Sequence, residues 1–203
     1  MLLAFDTSSA ACTAALFDEV GACVAHSDEL IGRGHAERLV PMIAELMDGR
    51  PASQILVGVG PGSFTGIRVA IAAAHGLAIG WGAELFGMSS LALLAAGAGG
   101  AEQVAAAVTG GHGELFVQQY DALTLQPISD LINARPEDAA RTISATLVIG
   151  SGARPLVEAR GWGEVREIWP LASNALKLSP TQRRLPPKPV YARAPDARVP
   201  EAA

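Results

Sequence analysis

Residues 58–78 read GVGPGSFTGIRVAIAAAHGLA, and the fold turns on them. The run Ile55–Val59 just before is short, apolar and β-branched, as a buried strand requires. The turn after it places Gly60, Gly62 and Gly66 in a G-x-G-x-x-x-G spacing. That spacing is neither the dinucleotide fingerprint nor a phosphate loop of the G-x-x-x-x-G-K-[ST] type, since Ile67 is followed by Arg68. Pro61 and Gly62 predict a tight turn, and Ser63 is placed to cap the helix that begins after it. A generic phosphate role stays open beside this structural one, because any helix N-terminus carries partial positive charge. In the helix itself, Ala70, Ala73, Ala74, Ala78 and Gly80 are small, while Ile67, Ile71, Leu77 and Ile79 are aliphatic. A helix apolar on more than one face is either sandwiched within its own lobe or covered by another chain.

Working outward, Leu2–Phe5, Thr13–Phe17 and Ala22–His26 read as strands, with Asp18–Gly21 as the hairpin turn between the second and third. His35–Met47 carries Leu39, Met42, Ile43 and Leu46 at helical spacing and ends at Gly49 and Pro51. A strand at Glu84–Phe86 and a helix from Ser89 to about residue 98 lead to a glycine cluster at Gly97, Gly99 and Gly100. Beyond it, strands are predicted at Gln103–Thr109, Glu114–Tyr120, Leu125–Ser129 and Thr146–Ile149, and helices at Pro136–Ser144 and Ala153–Arg160. A unit of three strands, helix, strand, helix is thus spelled twice. That is the plan of the α/β actin-like and sugar-kinase (ASKHA) superfamily, two ribonuclease-H-like lobes, the second one short. The expected division is 1–100 for the first lobe, 101–180 for the second and 181–203 for a basic, proline-rich tail.

Half of the 203 side chains are hydrophobic, enough to bury a core, and the formal net charge is −5. Residues 177–203 hold six cations against Asp196 and Glu201, a balance of +4, which leaves −9 for the remainder. An acidic body is a poor general grip on nucleic acid, since that affinity comes from neutralised phosphates. The basic tail is read either as a solvated end or as a contact for RNA or an acidic partner. Asp6 follows an N-terminus without basic residues, which argues against a secretory signal. The uncharged stretches 69–83 and 85–101 are diluted by Ala, Gly and His75 and read as buried core rather than membrane spans. Cys12 and Cys23 form no metal-ligand pattern and are expected as free thiols.

Three stretches together, Phe5-Asp6-Thr7-Ser8, Gly34-His35-Ala36-Glu37-Arg38-Leu39-Val40-Pro41 and Gly60-Pro61-Gly62-Ser63-Phe64-Thr65-Gly66-Ile67-Arg68, closely resemble the bacterial TsaB family, also called YeaZ. The resemblance is strong over residues 1 to about 95. It thins afterwards, where Thr109-Gly110-Gly111-His112 stands in place of the family's Asp-Ala-Arg, and Lys188-Pro189-Val190-Tyr191-Ala192-Arg193 has a lysine for the family's acid. It implies a dimerisation subunit, itself non-catalytic, of the complex that makes threonylcarbamoyladenosine beside the anticodon of transfer RNAs reading codons that begin with A. The implied partners are the catalytic paralogue TsaD and the ATPase subunit TsaE, with tRNA met only through the complex. A homodimer in isolation, a cytoplasmic location and no membrane are implied as well. The implied docking face lies on the two helices, at His35, Leu39, Met42, Ile43 and Leu46, and at Ile67, Ala70, Ile71, Ala74, His75 and Ala78. Gly60, Pro61, Gly62, Ser63, Gly66 and Arg68 then serve as a structural loop that launches the second helix.

The catalytic relative holds a metal with His-x-x-x-His on its first helix, a spacing that stacks two imidazoles one turn apart. Here the stretch is His35-x-x-x-Leu39, and no such pair exists among His26, His35, His75 and His112, so no metal is expected. Asp6-Thr7-Ser8-Ser9 sits where actin-like ATPases place their first phosphate loop, yet no glycine occurs between Met1 and Gly21. Hydroxyls capping a turn are the alternative to a residual nucleotide loop. No resident cofactor is expected beyond weak nucleotide binding at the subunit interface. Gly62-Ser63-Phe64 fails G-x-S-x-G, which leaves the glycoprotease label once given to relatives without machinery. The competing function is a small actin-like ATP-binding enzyme, and a third reading is an orphan homodimer using the same helices.

Overall fold

A computed structural model describes residues 1–190. Five strands, β1 (Leu2–Asp6), β2 (Ala11–Phe17), β3 (Cys23–Leu30), β4 (Gln54–Gly58) and β5 (Glu84–Met88), form the first sheet in the order β3-β2-β1-β4-β5. β1, β2 and β3 run antiparallel as successive hairpin strands, while β4 and β5 lie parallel to β1. Helices α1 (His35–Met47) and α2 (Phe64–Trp81) cover one face of this sheet, and the short α3 (Ser90–Ala95) follows β5.

The second sheet repeats the design. β6 (Gln103–Thr109), β7 (Leu115–Asp121), β8 (Ile132–Ala134), β9 (Leu147–Ile149) and β10 (Glu164–Arg166) assemble in the order β10-β9-β6-β7-β8, with the same antiparallel and parallel senses. Its helices α4 (Pro136–Thr142) and α5 (Ala153–Arg160) have 7 and 8 residues, against 13 and 18 for α1 and α2. The duplicated α/β actin-like plan with a short second lobe is therefore present.

Period-2 alternation sorts the core into layers. Leu3 and Phe5 of β1 face α1 and α2, whereas Ala4 faces the middle of the molecule. In β6, Ala105 and Ala107 face α4 and α5, while Val104, Ala106 and Val108 join the middle. Every residue of α3 is buried there, between the two sheets. Cys12 is buried in β2 and Cys23 exposed in β3, both free.

The structure departs from the sequence reading in three places. Leu125–Ser129 is a loop, and the third strand of the second lobe is β8. The Asp121 carboxylate accepts from the backbone N–H groups of Leu123 and Thr124, Leu125 adopts φ 56°, and its side chain is buried, so this stretch closes a turn. Pro127 has no N–H to donate to a ladder. β10 went unforeseen because its three residues Glu164, Val165 and Arg166 are all exposed, leaving no apolar signature. Across the expected division at 180, residues 167–190 run back along the first lobe. Thr13 donates through Oγ1 to the Pro170 carbonyl at 3.0 Å, and Ala172, Ala175 and Leu178 fill the middle layer. Helix α6 (Pro180–Arg183) is closed by a Ser179–Gln182 capping box, and Leu185 pairs through its backbone with Gly87. The rest of the expected tail, 191–203, including Tyr191–Arg193, lies outside the described residues.

Because Leu178 belongs to the core between the two sheets, Leu178→Ala is expected to cost about 2–5 kcal/mol in equilibrium urea unfolding. A solvated tail would give nearly no change.

Candidate functional site

The loops at the carboxyl ends of β1 and β4 are fastened to each other. Ser63 donates its N–H to the Ser8 carbonyl at 2.7 Å, and Thr7 donates through Oγ1 to the Gly66 carbonyl at 2.7 Å. The contact is close enough to demand glycine. A Cβ at Gly62 would lie 2.2 Å from the Ser8 carbonyl oxygen, and one at Gly66 would lie 1.9 Å from that of Thr7. Ser63 caps α2 as expected, accepting the Gly66 N–H at 3.2 Å. The glycines thus admit a neighbouring stretch of backbone, and the two loops close over one another.

Asp6 is the hub of this junction and is 1% exposed. Its Oδ1 accepts from the Ser8 N–H and the Ser8 hydroxyl, each at 2.7 Å. Its Oδ2 accepts from the Ser90 hydroxyl at 2.5 Å, and that hydroxyl in turn accepts the Gly60 N–H at 3.0 Å. Burial pushes the Asp6 carboxyl above the usual carboxylate range, against the hydrogen bonds from Ser8 and Ser90 and the nearby His35, which favour the charge. Ser9 is half-buried and accepts the Ala11 N–H at 3.1 Å through its hydroxyl. In Asp6-Thr7-Ser8-Ser9 both Asp6 oxygens are taken and the hydroxyls bind the chain itself, which is the turn-capping arrangement.

Of the implied docking residues, most lie against their own sheet. Leu39, Met42 and Ile43 of α1, and Ile67, Ala70, Ile71 and Ala74 of α2, pack into their own lobe. His35 is buried at the start of α1, and its Nε2 has no partner among the described residues. Leu46 and Ala78 are half-buried, so only His75 of that set is exposed. The reason is geometric: the stripe at i, i+3, i+4, i+7 is the one the sheet captures.

The outward faces carry other residues. On α2 these are Phe64, Arg68, Ala72, His75, Gly76, Ile79 and Gly80, with Phe64 59% and Ile79 84% exposed. On α1, Ala36, Val40 and Ala44 are exposed beside them, Val40 by 51%. Arg68 lies over the Phe64 ring, 3.6 Å from its centroid. A Cβ at Gly76 or Gly80 would meet nothing within 4 Å. Glycine inside a helix costs about 1 kcal/mol relative to alanine, and the chain's own packing does not require it at either position. The residues of this face stand in the sequence one position off the buried stripe, but nothing there says which of the two faces the sheet takes. By length and composition α2 would also pass for a membrane span, yet its inner stripe packs on the sheet. Among the described residues no group of three or more His, Cys, Asp or Glu could hold a metal ion.

Two outcomes check the junction. Gly66→Ala is expected to destabilise by about 1–3 kcal/mol or more in urea unfolding, because the Thr7 backbone must move. Since folding raises the pKa of Asp6, its contribution is largest at low pH and is lost as pH rises through the folded value. The stability of wild type relative to Asp6→Asn is therefore expected to grow as pH falls from about 7 to about 4, and a falling difference would contradict the assignment.

Comparison with known proteins agrees with this architecture. A family model described as TsaD, tRNA N6-adenosine threonylcarbamoyltransferase, matches residues 24–146. The tRNA threonylcarbamoyladenosine biosynthesis protein TsaB of Escherichia coli (strain K12) is 38% identical over 127 residues, 59% of this chain and 54% of that protein. The protein of the same name from Haemophilus influenzae is 38% identical over 126 residues, 58% of this chain and 52% of that one. The matched stretch thus spans about half the length of these curated relatives. Two solved structures from Pseudomonas aeruginosa align over nearly the whole chain. One, an uncharacterized protein with similarity to peptidase YEAZ, gives a TM-score of 0.82 at 31% identity, covering 95% of this chain and 99% of that one. The other, YeaZ, gives 0.80 at 30% identity, covering 94% and 98%. With near-complete coverage of the YeaZ structure at 30% identity and curated TsaB relatives at 38%, the chain belongs to the TsaB, or YeaZ, family.

Proposed function

We propose that this protein is a non-catalytic scaffold of tRNA modification, one that docks a TsaD-like catalytic paralogue and supports threonylcarbamoyl transfer to the adenosine beside the anticodon. The observation that carries this reading is the outward face of α2, where exposed Phe64 and Ile79 flank Ala72, Gly76 and Gly80, small residues the chain does not need for itself. Small side chains let a second helix approach closely, and the apolar flanks supply the area such a contact buries. A specific interface of this kind removes on the order of 1,200–2,000 Å² from water, with most of the energy in a few central side chains. The sealed Asp6 junction supports the non-catalytic half, because it leaves no free carboxylate at the place where actin-like enzymes do chemistry. In this reading the ATPase subunit TsaE and the tRNA are met through the assembled complex, in the cytoplasm.

Co-expression with the TsaD-like paralogue of the same cell is expected to give a co-eluting heterodimer. Ile79→Asp, which places a charge in that seam, is expected to weaken it by about 30-fold or more in calorimetric titration, the scale of a central interface residue. Gly76→Ala separates docking from folding. It is expected to stabilise the isolated chain by about 0.5–1 kcal/mol in urea unfolding, while weakening the heterodimer. Equal coelution of wild type and Ile79→Asp would refute the proposed face.

A further inference from the structure

Among the described residues the two sheets have four edges, and the chain treats them differently. β8 and β10, the edges of the second sheet, have three residues each. β5, one edge of the first, is overlaid by the backbone of Leu185, which exchanges bonds with Gly87 at 2.7 and 2.9 Å. β3, the other edge, has eight residues and pairs only with β2 among the described residues. A long bare edge presents a row of unpaired backbone N–H and C=O groups, and proteins ordinarily shorten, bulge or cover it. The one irregularity of β3 lies near its start, where Val24 has no partner between Cys23 and Ala25, so residues 25–30 keep a regular register.

Side chains alternate along this edge. Ala25, Ser27 and Glu29 are half-buried on the side of α1, where Glu29 pairs with Arg38. Val24, His26, Asp28 and Leu30 are exposed on the other side, Val24 by 54% and Leu30 by 64%. His26 Nδ1 lies 2.8 Å from Asp28 Oδ2, which leaves its second ring nitrogen for another acceptor. This row, aliphatic, imidazole, carboxylate, aliphatic, complements its own reverse. In an antiparallel pair of identical strands, bonded and non-bonded residue pairs alternate, so a twofold axis must pass between two copies of the same residue. Centred on His26, the pairing would oppose the two imidazoles and set Val24 against Asp28. Centred on Asp28, it would oppose the two carboxylates and set His26 against Leu30. Centred on Ser27, it sets Val24 against Leu30 and His26 against Asp28, each match occurring twice. Centres further along in either direction shorten the ladder.

We infer that β3 is a self-pairing edge: it binds β3 of a second copy of this chain, antiparallel and centred on Ser27, so that the two five-stranded sheets become one continuous sheet. A second copy is the occupant that fits, because an isologous contact demands a surface complementary to itself, and the backbone ladder supplies the rest of the contact. Opposed aliphatic and opposite-charge pairs are the matches that stabilise neighbouring strands. The edge lies apart from the docking face, since α2 packs over β4 and β5, at the far side of the sheet from β3. The inference therefore stands whether or not a paralogue docks on α2. If one does, the assembly holds two copies of each subunit.

A single edge strand buries less than a standard interface, so sedimentation equilibrium of the full chain from about 5 to about 500 μM is expected to show a concentration-dependent dimer. His26→Asp, a change at an exposed position, opposes like charges at both matches and is expected to weaken the dimer about tenfold or more. Adding Asp28→His to that variant exchanges the two partners and is expected to restore it. Ser27→Cys, made with Cys23→Ser, is expected to cross-link under mild oxidation, because facing Cα atoms lie about 4.5–5.5 Å apart, within disulfide reach. Asp28→Cys in the same background, displaced from its own copy along the strand, is expected to cross-link far more slowly. Ile79→Asp should leave the dimer intact. A wild type that stays monomeric throughout, a doubly exchanged variant no tighter than His26→Asp, or equal cross-linking at positions 27 and 28 would each overturn the inference. A dimer lost in Ile79→Asp but kept in His26→Asp would overturn it in favour of the helical face as the contact between copies.

Discussion

The clasp between the Asp6–Ser8 turn and the Gly58–Gly66 turn is the constraint on which the rest depends. One buried carboxyl gathers hydrogen bonds from the ends of three segments: its own strand, the start of α3 and, through Ser90, the glycine loop. Those bonds and the missing β-carbons fix where α2 leaves the sheet, and with it the rotation of α2 about its axis. Were α2 turned by one residue, Ile67 and Ile71 would point outward and the glycines inward. The clasp therefore decides which side of an almost uniformly apolar helix faces water. A buried polar hub of this sort specifies one arrangement, because any alternative leaves a desolvated group unpaired.

The duplicated architecture repeats the device in a simpler form. After β9, a Cβ at Gly150 would lie 2.3 Å from the Ala107 carbonyl oxygen, and Gly152 donates its N–H to the same carbonyl at 3.0 Å. Each lobe thus seats the turn of its fourth strand on the end of its first. Past that turn the lobes diverge, since only the first continues into a long helix with a free face.

Much of this was legible in the sequence, for identifiable reasons. β1 and β4 are continuous apolar runs because central strands are buried on both sides, and α1 shows its stripe at Leu39, Met42 and Ile43, although Met47 rather than Leu46 completes it. The choice of face on α2 was not legible, because Ile67 and Ile79 are equally hydrophobic and only the sheet distinguishes them. Nor was the role of the glycines, whose neighbours Thr7 and Ser8 are more than fifty residues away. The 167–190 segment resembles a linker through its prolines, and its few anchors, Leu178 and Leu185, are too sparse to show a period. At Leu125 a run suited to a strand is overruled by Asp121, whose carboxylate bends the chain locally.

The return of residues 167–190 has a consequence for how the lobes depend on each other. The inner side of the first sheet lacks its cover of Ala172, Ala175 and Leu178 until the chain has passed through the whole second sheet. The first lobe therefore completes its core only with residues that follow the second lobe, so the two lobes cannot be separated by cutting the chain between them.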